Sequence, residues 1–330
     1  MLGIAFGTRP EWLKIKPVCV ELDRRKIPFR IIFTGQHESL LDGVDFDKRI
    51  YIHDNEKNRL NKIVTSLISE ESALKDLKYL MVQGDTTSAF AMALSAFHKG
   101  IPVIHLEAGL RTNDIKQPFP EESNRQMISC IASLHLCPTE DSRKNLIKEN
   151  RNLQSSIVVT GNTVLDNIRD VVTSQDKKVL ITMHRRENHA NLKNWFEQID
   201  LLASKYSEYD FILPIHPNPN VLKYKNIFNS VKVVDPMSHE DLIKYLASCE
   251  RVITDSGGLQ EEAAFLRKPC MVCRQDTERR EGLGNFSLLC TNHNSVDIVF
   301  QKLLHLEMSG DCPYGNGYAA IEVVNAIERF

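Results

Sequence analysis

The chain has 330 residues, 42% of them apolar and 25% charged, with 41 Lys and Arg against 43 Asp and Glu for a formal net charge of -2. That length exceeds what one hydrophobic core usually supports, so two domains of about 150 residues each are expected, and nothing in the composition calls for disorder. The mixed, nearly balanced charge excludes a broad field for nucleic acid or an anionic membrane, so an anionic ligand has to meet a local cluster.

The apolar run Met1 to Phe6 leads straight into Gly7-Thr8-Arg9-Pro10, with no basic segment before it and no small-residue cleavage site after it. It reads as a first strand rather than a signal peptide. No apolar stretch approaches the ~20 residues that a membrane helix requires. A helix from Pro10 follows, then the strand FRIIFT, a helix through Leu60 to Leu77, the strand YLMVQ, a helix from Thr86 to His98 and the strand PVIHL. This is the βαβα rhythm of a parallel, doubly wound sheet. After SSIVVTGN and the helix it leads into, the rhythm restarts with KKVLITM, a helix from Leu192, DFILPI, VKVVD, a helix from His239 to Ser248, RVITD, a helix from Leu259 and KPCMVC. The fold class expected is therefore α/β, with two Rossmann-like domains over 1–171 and 172–314, parted near Val171 where the polar TSQDKK intervenes. The segment 315–330 reads as a last amphipathic helix after a Pro-Tyr-Gly turn.

Eight cysteines are scattered along the chain. Cys19, Cys130, Cys137 and Cys249 lie in apolar patterns typical of buried free thiols, which suits a reducing cytosol, so a cytoplasmic location is expected. Cys270 and Cys273 form a single C-x-x-C without a second pair, inside a run that reads as a buried strand, and no metal is expected there.

Ligands of open parallel sheets bind beyond the carboxyl ends of the strands, and most of the polar motifs fall there. Gly7-Thr8-Arg9-Pro10-Glu11 joins the first strand to its helix, where amides and the helix N-terminus favour phosphate and where Arg9 and Lys14 add charge. Asp85, in Gln83-Gly84-Asp85-Thr86-Thr87-Ser88, serves either as a helix cap or as an acid/base group. Glu107 follows the next strand in HLEAGLRT. Glu121 and Glu122 open a helix in PFPEESNR, where the dipole stabilises negative charge. In the second half, His184-Arg185-Arg186-Glu187-Asn188 follows a strand and is placed to meet a diphosphate. Ser256-Gly257-Gly258 offers successive amides to an anion, and Glu262, one turn on, is placed for ribose hydroxyls. His216, in a Pro-rich strand end, is equally compatible with a structural turn.

In this order, GTRPE, GDTTS, HLEAGLRT, PFPEESNR, VTGNTVLD, HRREN, TDSGGLQEEA, TERREG and CPYGNG resemble the motif series of the bacterial non-hydrolysing UDP-N-acetylglucosamine 2-epimerases, almost end to end. The resemblance implies a glycosyltransferase-B type of fold, with UDP between the two domains and the last helix crossing back onto the first. It implies elimination of UDP across carbons 1 and 2 to a 2-acetamidoglucal, then re-addition with carbon 2 inverted and no redox cofactor consumed. The carboxylates and histidine that match the family's essential ones are Asp85, Glu107, Glu121 and His184. Its nucleotide contacts carry over to Arg9, Lys14, Arg125, His216, Ser256, Gly257, Gly258 and Glu262. The expected partner is a UDP-sugar, with neither nucleic acid nor membrane, and the expected assembly is a homodimer.

The resemblance has gaps. The family's T-E-R-P-E reads Thr277-Glu278-Arg279-Arg280-Glu281, without its proline. Many bacterial members need a second molecule of their own substrate bound as activator. Of that site Gln36 and Arg185 match, but a second glutamine reads Ser39, and an arginine falls in an unmatched stretch around Asn55 to Lys57. Epimerisation without added activator is therefore expected. A hydrolysing epimerase that releases N-acetylmannosamine, an epimerase of a modified UDP-diacetamido sugar, a glycosyltransferase of the same fold and a non-catalytic sugar-nucleotide sensor are the competing readings. GTRPE and HRREN weigh against the hydrolysing branch, and three carboxylates with a histidine weigh against a transferase or a sensor.

Overall fold

The computed structural model describes residues 1–37, 44–54, 56–149 and 155–330. The chain divides into two compact units, Met1–Asn167 with Tyr314–Phe330, and Ile168–Pro313.

In the first unit the strands are β1 (Leu2–Phe6), β2 (Phe29–Phe33), β3 (Lys48–Arg49), β4 (Tyr79–Gln83), β5 (Val103–Leu106), β6 (Ala132–Cys137) and β7 (Ser156–Val159). They form one sheet in the order β3-β2-β1-β4-β5-β6-β7, and every pairing is parallel. The helices are α1 (Arg9–Arg24), α2 (Arg59–Ser69), α3 (Thr87–His98), α4 (Glu121–Ile131) and α5 (Glu140–Glu149). Both faces of the sheet are covered, which is why the strands are apolar throughout rather than alternating. Ile4, Phe6, Met81, Ile104 and Leu134 join Ile15, Val18 and Leu22 of α1 on one face. Ala5, Ile32, Leu80, Val82 and Val103 join Ile63 of α2 and Met92 of α3 on the other. The helix expected to run to Leu77 stops at Ser69 and yields to a short 3-10 turn, Glu71–Leu74.

The second unit holds β8 (Asp176–Thr182), β9 (Asp210–Pro214), β10 (Lys232–Val234), β11 (Cys249–Thr254), β12 (Cys270–Val272) and β13 (Ser287–Leu289). Their order is β10-β9-β8-β11-β12-β13, again all parallel. Helices α6 (Leu192–Lys205), α7 (Pro219–Leu222), α8 (His239–Ser248), α9 (Gly257–Phe265) and α10 (Val296–Leu304) complete it, around a core that includes Val179, Ile181, Phe196, Phe211 and Phe300.

The last helix, α11 (Ala319–Arg329), belongs to the first unit. Val323, Val324 and Ile327 enter the same apolar cluster as α1, and the Arg25 guanidinium donates to Asn325 Oδ1 at 2.8 Å. The start of α11 is capped from a distance: the Asp166 carboxylate accepts from the amides of Ala319 (3.1 Å) and Ala320 (2.8 Å). Of the cysteines, Cys130 departs from expectation. It is exposed, because it lies on the outer face of α4, whereas Cys19, Cys137, Cys249, Cys270, Cys273 and Cys290 are buried. Among the described residues no helix is long and apolar enough to cross a membrane.

Candidate active site

The turn after β1 is built by its own residues. Thr8 caps α1 by accepting from the Glu11 amide at 3.4 Å, and Pro10 follows inside the first turn, where no donor is lost. Glu11 is fully buried, and its carboxylate accepts from the Gly7 amide at 2.9 Å and from Thr86 Oγ1 at 2.7 Å. Burial raises its pKa above the usual carboxylate value against those bonds. The acidic residue of this motif therefore ties the turn to the start of α3, a role its sequence position did not suggest. Arg9 is exposed at the first position of α1.

Lys14, on the same helix, turns inward. Its ammonium lies 2.5 and 2.6 Å from the two oxygens of Glu107, which is 8% exposed. Gln83 Nε2 also donates to Glu107, and Asn162 Nδ2 does so at 3.4 Å. Glu107 is a non-glycine residue at φ 65°, so the end of β5 is bent into the left-handed region. At the end of the neighbouring β4, the Asp85 carboxylate accepts from Arg125 Nε at 2.8 Å and Nη2 at 2.7 Å, while Asn124 Nδ2 donates to the Asp85 carbonyl at 2.8 Å. Asp85 is not the cap of α3. Thr86 is, through its hydroxyl and the Ala89 amide, so the capping reading of Asp85 fails.

Arg125, expected at the nucleotide, is buried between Asp85 and Glu122. The fully buried Glu122 also accepts from the amides of Thr112 and Asn113. Glu122 thus holds the loop after β5, while Glu121, beside it at the first position of α4, is partly exposed. Arg111 braces the same loop with a two-point bond to Glu149 at 2.7 and 3.0 Å. Gly109, at φ 89°, admits no side chain, because a Cβ there would stand 2.2 Å from the Ser142 carbonyl.

In the second unit the fully buried Asp255 organises the turn after β8. It accepts from the amides of His184 (3.1 Å) and Arg185 (2.9 Å) and from Asn188 Nδ2 (3.0 Å). The His184 ring stacks on His216 at 4.7 Å and 14°. Its Nδ1 is 3.9 Å from Asp255, too far for a hydrogen bond. Burial lowers the His184 pKa, with His216 and Arg185 acting in the same direction and Asp255 against it. His216 is lowered for the same first reason and accepts at Nδ1 from the Asn218 amide at 3.1 Å.

Ser256 caps α9. A Cβ on Gly257 would meet the Arg279 guanidinium at 2.5 Å, whereas one on Gly258 would meet nothing within 4 Å. A side chain at Gly257 would displace that guanidinium, and Gly258 leaves the helix N-terminus open. Glu262, expected at the ribose, accepts from His239 Nε2 at 2.7 Å, a partner that sequence reading missed. The loop without the family's proline is stiffened by charge. Arg279 bonds Glu261 at 2.8 Å, Arg274 bonds Glu278 at 2.9 Å and Glu187 at 2.7 Å, and Arg280 is exposed beside Asp276.

Gln36 accepts at Oε1 from the Ser88 amide at 3.1 Å. Its carbonyl accepts from Arg59 Nη2 at 3.3 Å. Arg59 therefore stands beside Gln36. Ser39 and Asn55 lie outside the described residues.

A family model described as UDP-N-acetylglucosamine 2-epimerase matches residues 20–328. A Bacillus subtilis protein named UDP-N-acetylglucosamine 2-epimerase is 37% identical, over 98% of this chain and 93% of its own. The solved UDP-GlcNAc 2-epimerase from Neisseria meningitidis bound to UDP-GlcNAc superposes with a TM-score of 0.89 at 33% identity, covering 100% of both chains. The Methanocaldococcus jannaschii UDP-GlcNAc 2-epimerase, solved in complex with UDP-GlcNAc and UDP, gives 0.85 at 28% identity and covers 100% of this chain and 99% of its own.

Proposed function

Because this chain belongs to the UDP-N-acetylglucosamine 2-epimerase family, with the paired Rossmann-like units of a glycosyltransferase-B type fold, we propose that it interconverts UDP-N-acetylglucosamine and UDP-N-acetylmannosamine without hydrolysis. The observation that carries this reading is the pair of carboxylates at the ends of adjacent strands. Asp85 after β4 is fixed by Arg125, and Glu107 after β5 is fixed by Lys14. Inverting carbon 2 requires removal of a weakly acidic C–H proton on one face and return of a proton on the other, so two or more acid/base groups have to flank one carbon.

Elimination breaks the bond between carbon 1 and the diphosphate oxygen as the carbon 2 proton leaves, giving 2-acetamidoglucal and UDP. Re-addition forms that bond again as a proton reaches carbon 2 from the opposite face. Atoms balance, and no electrons leave the substrate. Asp85, Glu107 and Glu121 are the candidate proton carriers. The ammonium of Lys14 against Glu107 and the guanidinium of Arg125 against Asp85 fix where each carboxylate stands. The nucleotide contacts proposed are Arg9 at the start of α1, Ser256 and Gly258 at the open end of α9, and His184 and His216, neutral by burial, as hydrogen-bonding groups for the diphosphate.

The test is proton NMR of UDP-N-acetylglucosamine with the protein in heavy water. The expected result is the manno isomer with deuterium at carbon 2. Free N-acetylmannosamine as the main product would move the chain to hydrolytic chemistry, and binding without any conversion would make it a sensor.

A further inference from the structure

We propose that His105 is a positioning residue for this reaction, setting the Gly84–Asp85 peptide and through it the direction of the Asp85 carboxylate. The inference rests on the epimerase reading above. His105 lies on β5, fully buried, opposite Val82 of β4. Its Nε2 stands 2.7 Å from the Gly84 carbonyl oxygen. A carbonyl only accepts, so Nε2 carries the proton and Nδ1 carries the lone pair.

Nδ1 has no partner among the described residues. Leaving a buried polar atom unpaired is unfavourable, so an apolar side chain would serve better if packing alone were needed at this position. The use of an imidazole is in the bond it makes. Beyond the Gly84–Asp85 peptide, Asn124 Nδ2 donates to the Asp85 carbonyl and Arg125 to its carboxylate. Gly84 is at φ 69°, and a Cβ there would come no closer than 3.6 Å to another atom, so sterics leave the turn free. Bonds hold it instead: the Gly84 amide donates to the Leu106 carbonyl at 2.9 Å, and its carbonyl accepts from His105. Both partners lie on β5, the strand that leads into Glu107. One strand therefore sets the two carboxylates together, Glu107 by its own backbone and Asp85 through the Gly84 peptide. Arg111, Arg125 and Asp85 are the charged groups that act on the ring. Burial, with the two guanidinium groups, outweighs the bond to the Gly84 carbonyl and the charge of Asp85 and keeps the ring neutral.

The experiment compares His105→Gln, His105→Asn and His105→Phe with the wild type. The readouts are kcat and KM for the UDP-sugar, UDP affinity by calorimetry, and the isotope effect with substrate deuterated at carbon 2. Glutamine places its amide nitrogen near the position of Nε2, whereas asparagine places it near Nδ1. The Asn and Phe variants are expected to lose about 10- to 100-fold in kcat, the scale of a displaced catalytic group, with KM and UDP affinity within about threefold and a larger isotope effect. The Gln variant is expected to recover most of kcat. Equal kcat in the Gln and Asn variants overturns the proposal, and this comparison stands even where the Phe variant does not fold. An active wild type with unaltered Asn and Phe variants sinks this proposal alone. An inactive wild type sinks the epimerase reading and this proposal with it.

Discussion

Glu107 keeps its left-handed backbone at φ 65°, which costs a non-glycine residue roughly 1–3 kcal/mol and persists only where the surroundings impose it. Here they do: Lys14, Gln83 and Asn162 all hold its carboxylate, from α1, β4 and the segment after β7. Removing its charge by Glu107→Gln would leave the Lys14 ammonium without its counter-ion, and Asp85→Asn would do the same to part of the Arg125 guanidinium. Each of these variants, and Glu121→Gln, is expected to lower turnover by at least ~100-fold, the scale of a proton-transfer group, while UDP still binds. Arg9→Ala, which leaves those contacts untouched, is expected instead to weaken UDP binding by removing a charge-assisted phosphate contact. Steady-state kinetics beside UDP calorimetry separates the two effects, and near-normal turnover in all three amide variants would reduce the carboxylates to scaffolding.

At the level of elements, the caps are local: Thr8, Thr86, Ser238 and Ser256 each accept from the amide three residues on, and the one cap expected from the sequence, Asp85, lies a residue too early. The strand β6 was missed because no turn residue announces it; Ala132 both ends α4 and begins the strand. The motifs of the candidate site were readable, but its partners were not. Asn162 reaches Glu107 across 55 positions, and His239 meets Glu262 across 23, separations that no local pattern encodes. The β5–β6 pair carries a further consequence. His105 and His135 face each other in register with ring centroids 6.5 Å apart, and burial lowers their pKa values to about 4 and about 3. The folded protein keeps both rings neutral while the unfolded chain binds protons below about pH 6.5. Stability is therefore retained above that pH and falls as pH drops through it towards the folded values. Glu11 acts in the opposite sense, since its raised pKa favours the folded state at low pH. The expected outcome is that His135→Leu loses about 2 kcal/mol less than the wild type between pH 7.5 and pH 5, measured by urea unfolding, and identical losses would count against a neutral buried ring.

For the molecule as a whole, the decisive feature is that α11 completes the core of the first unit. Truncation after Tyr318 would strip Val323, Val324 and Ile327 from the cluster they share with α1, at about 1.5–3 kcal/mol for each aliphatic side chain, and would leave Asp166 with no helix to cap. The two tryptophans report on this separately, since Trp12 lies in the first unit and Trp195 in the second. In single-tryptophan variants, the truncated chain is expected to show a large loss of urea midpoint at Trp12 and little change at Trp195. An unchanged Trp12 midpoint would show that the first unit stands without the helix. The same feature governs the order of events during synthesis. A chain made from its N-terminus emerges at about 5–20 residues per second, so β1 and α1 leave the ribosome well before α11 exists, whereas every strand of the second unit has been made by Leu289. The unit that begins first thus closes last, and until it does, the side of its sheet meant for α11 stays open to chaperones and to neighbouring nascent chains.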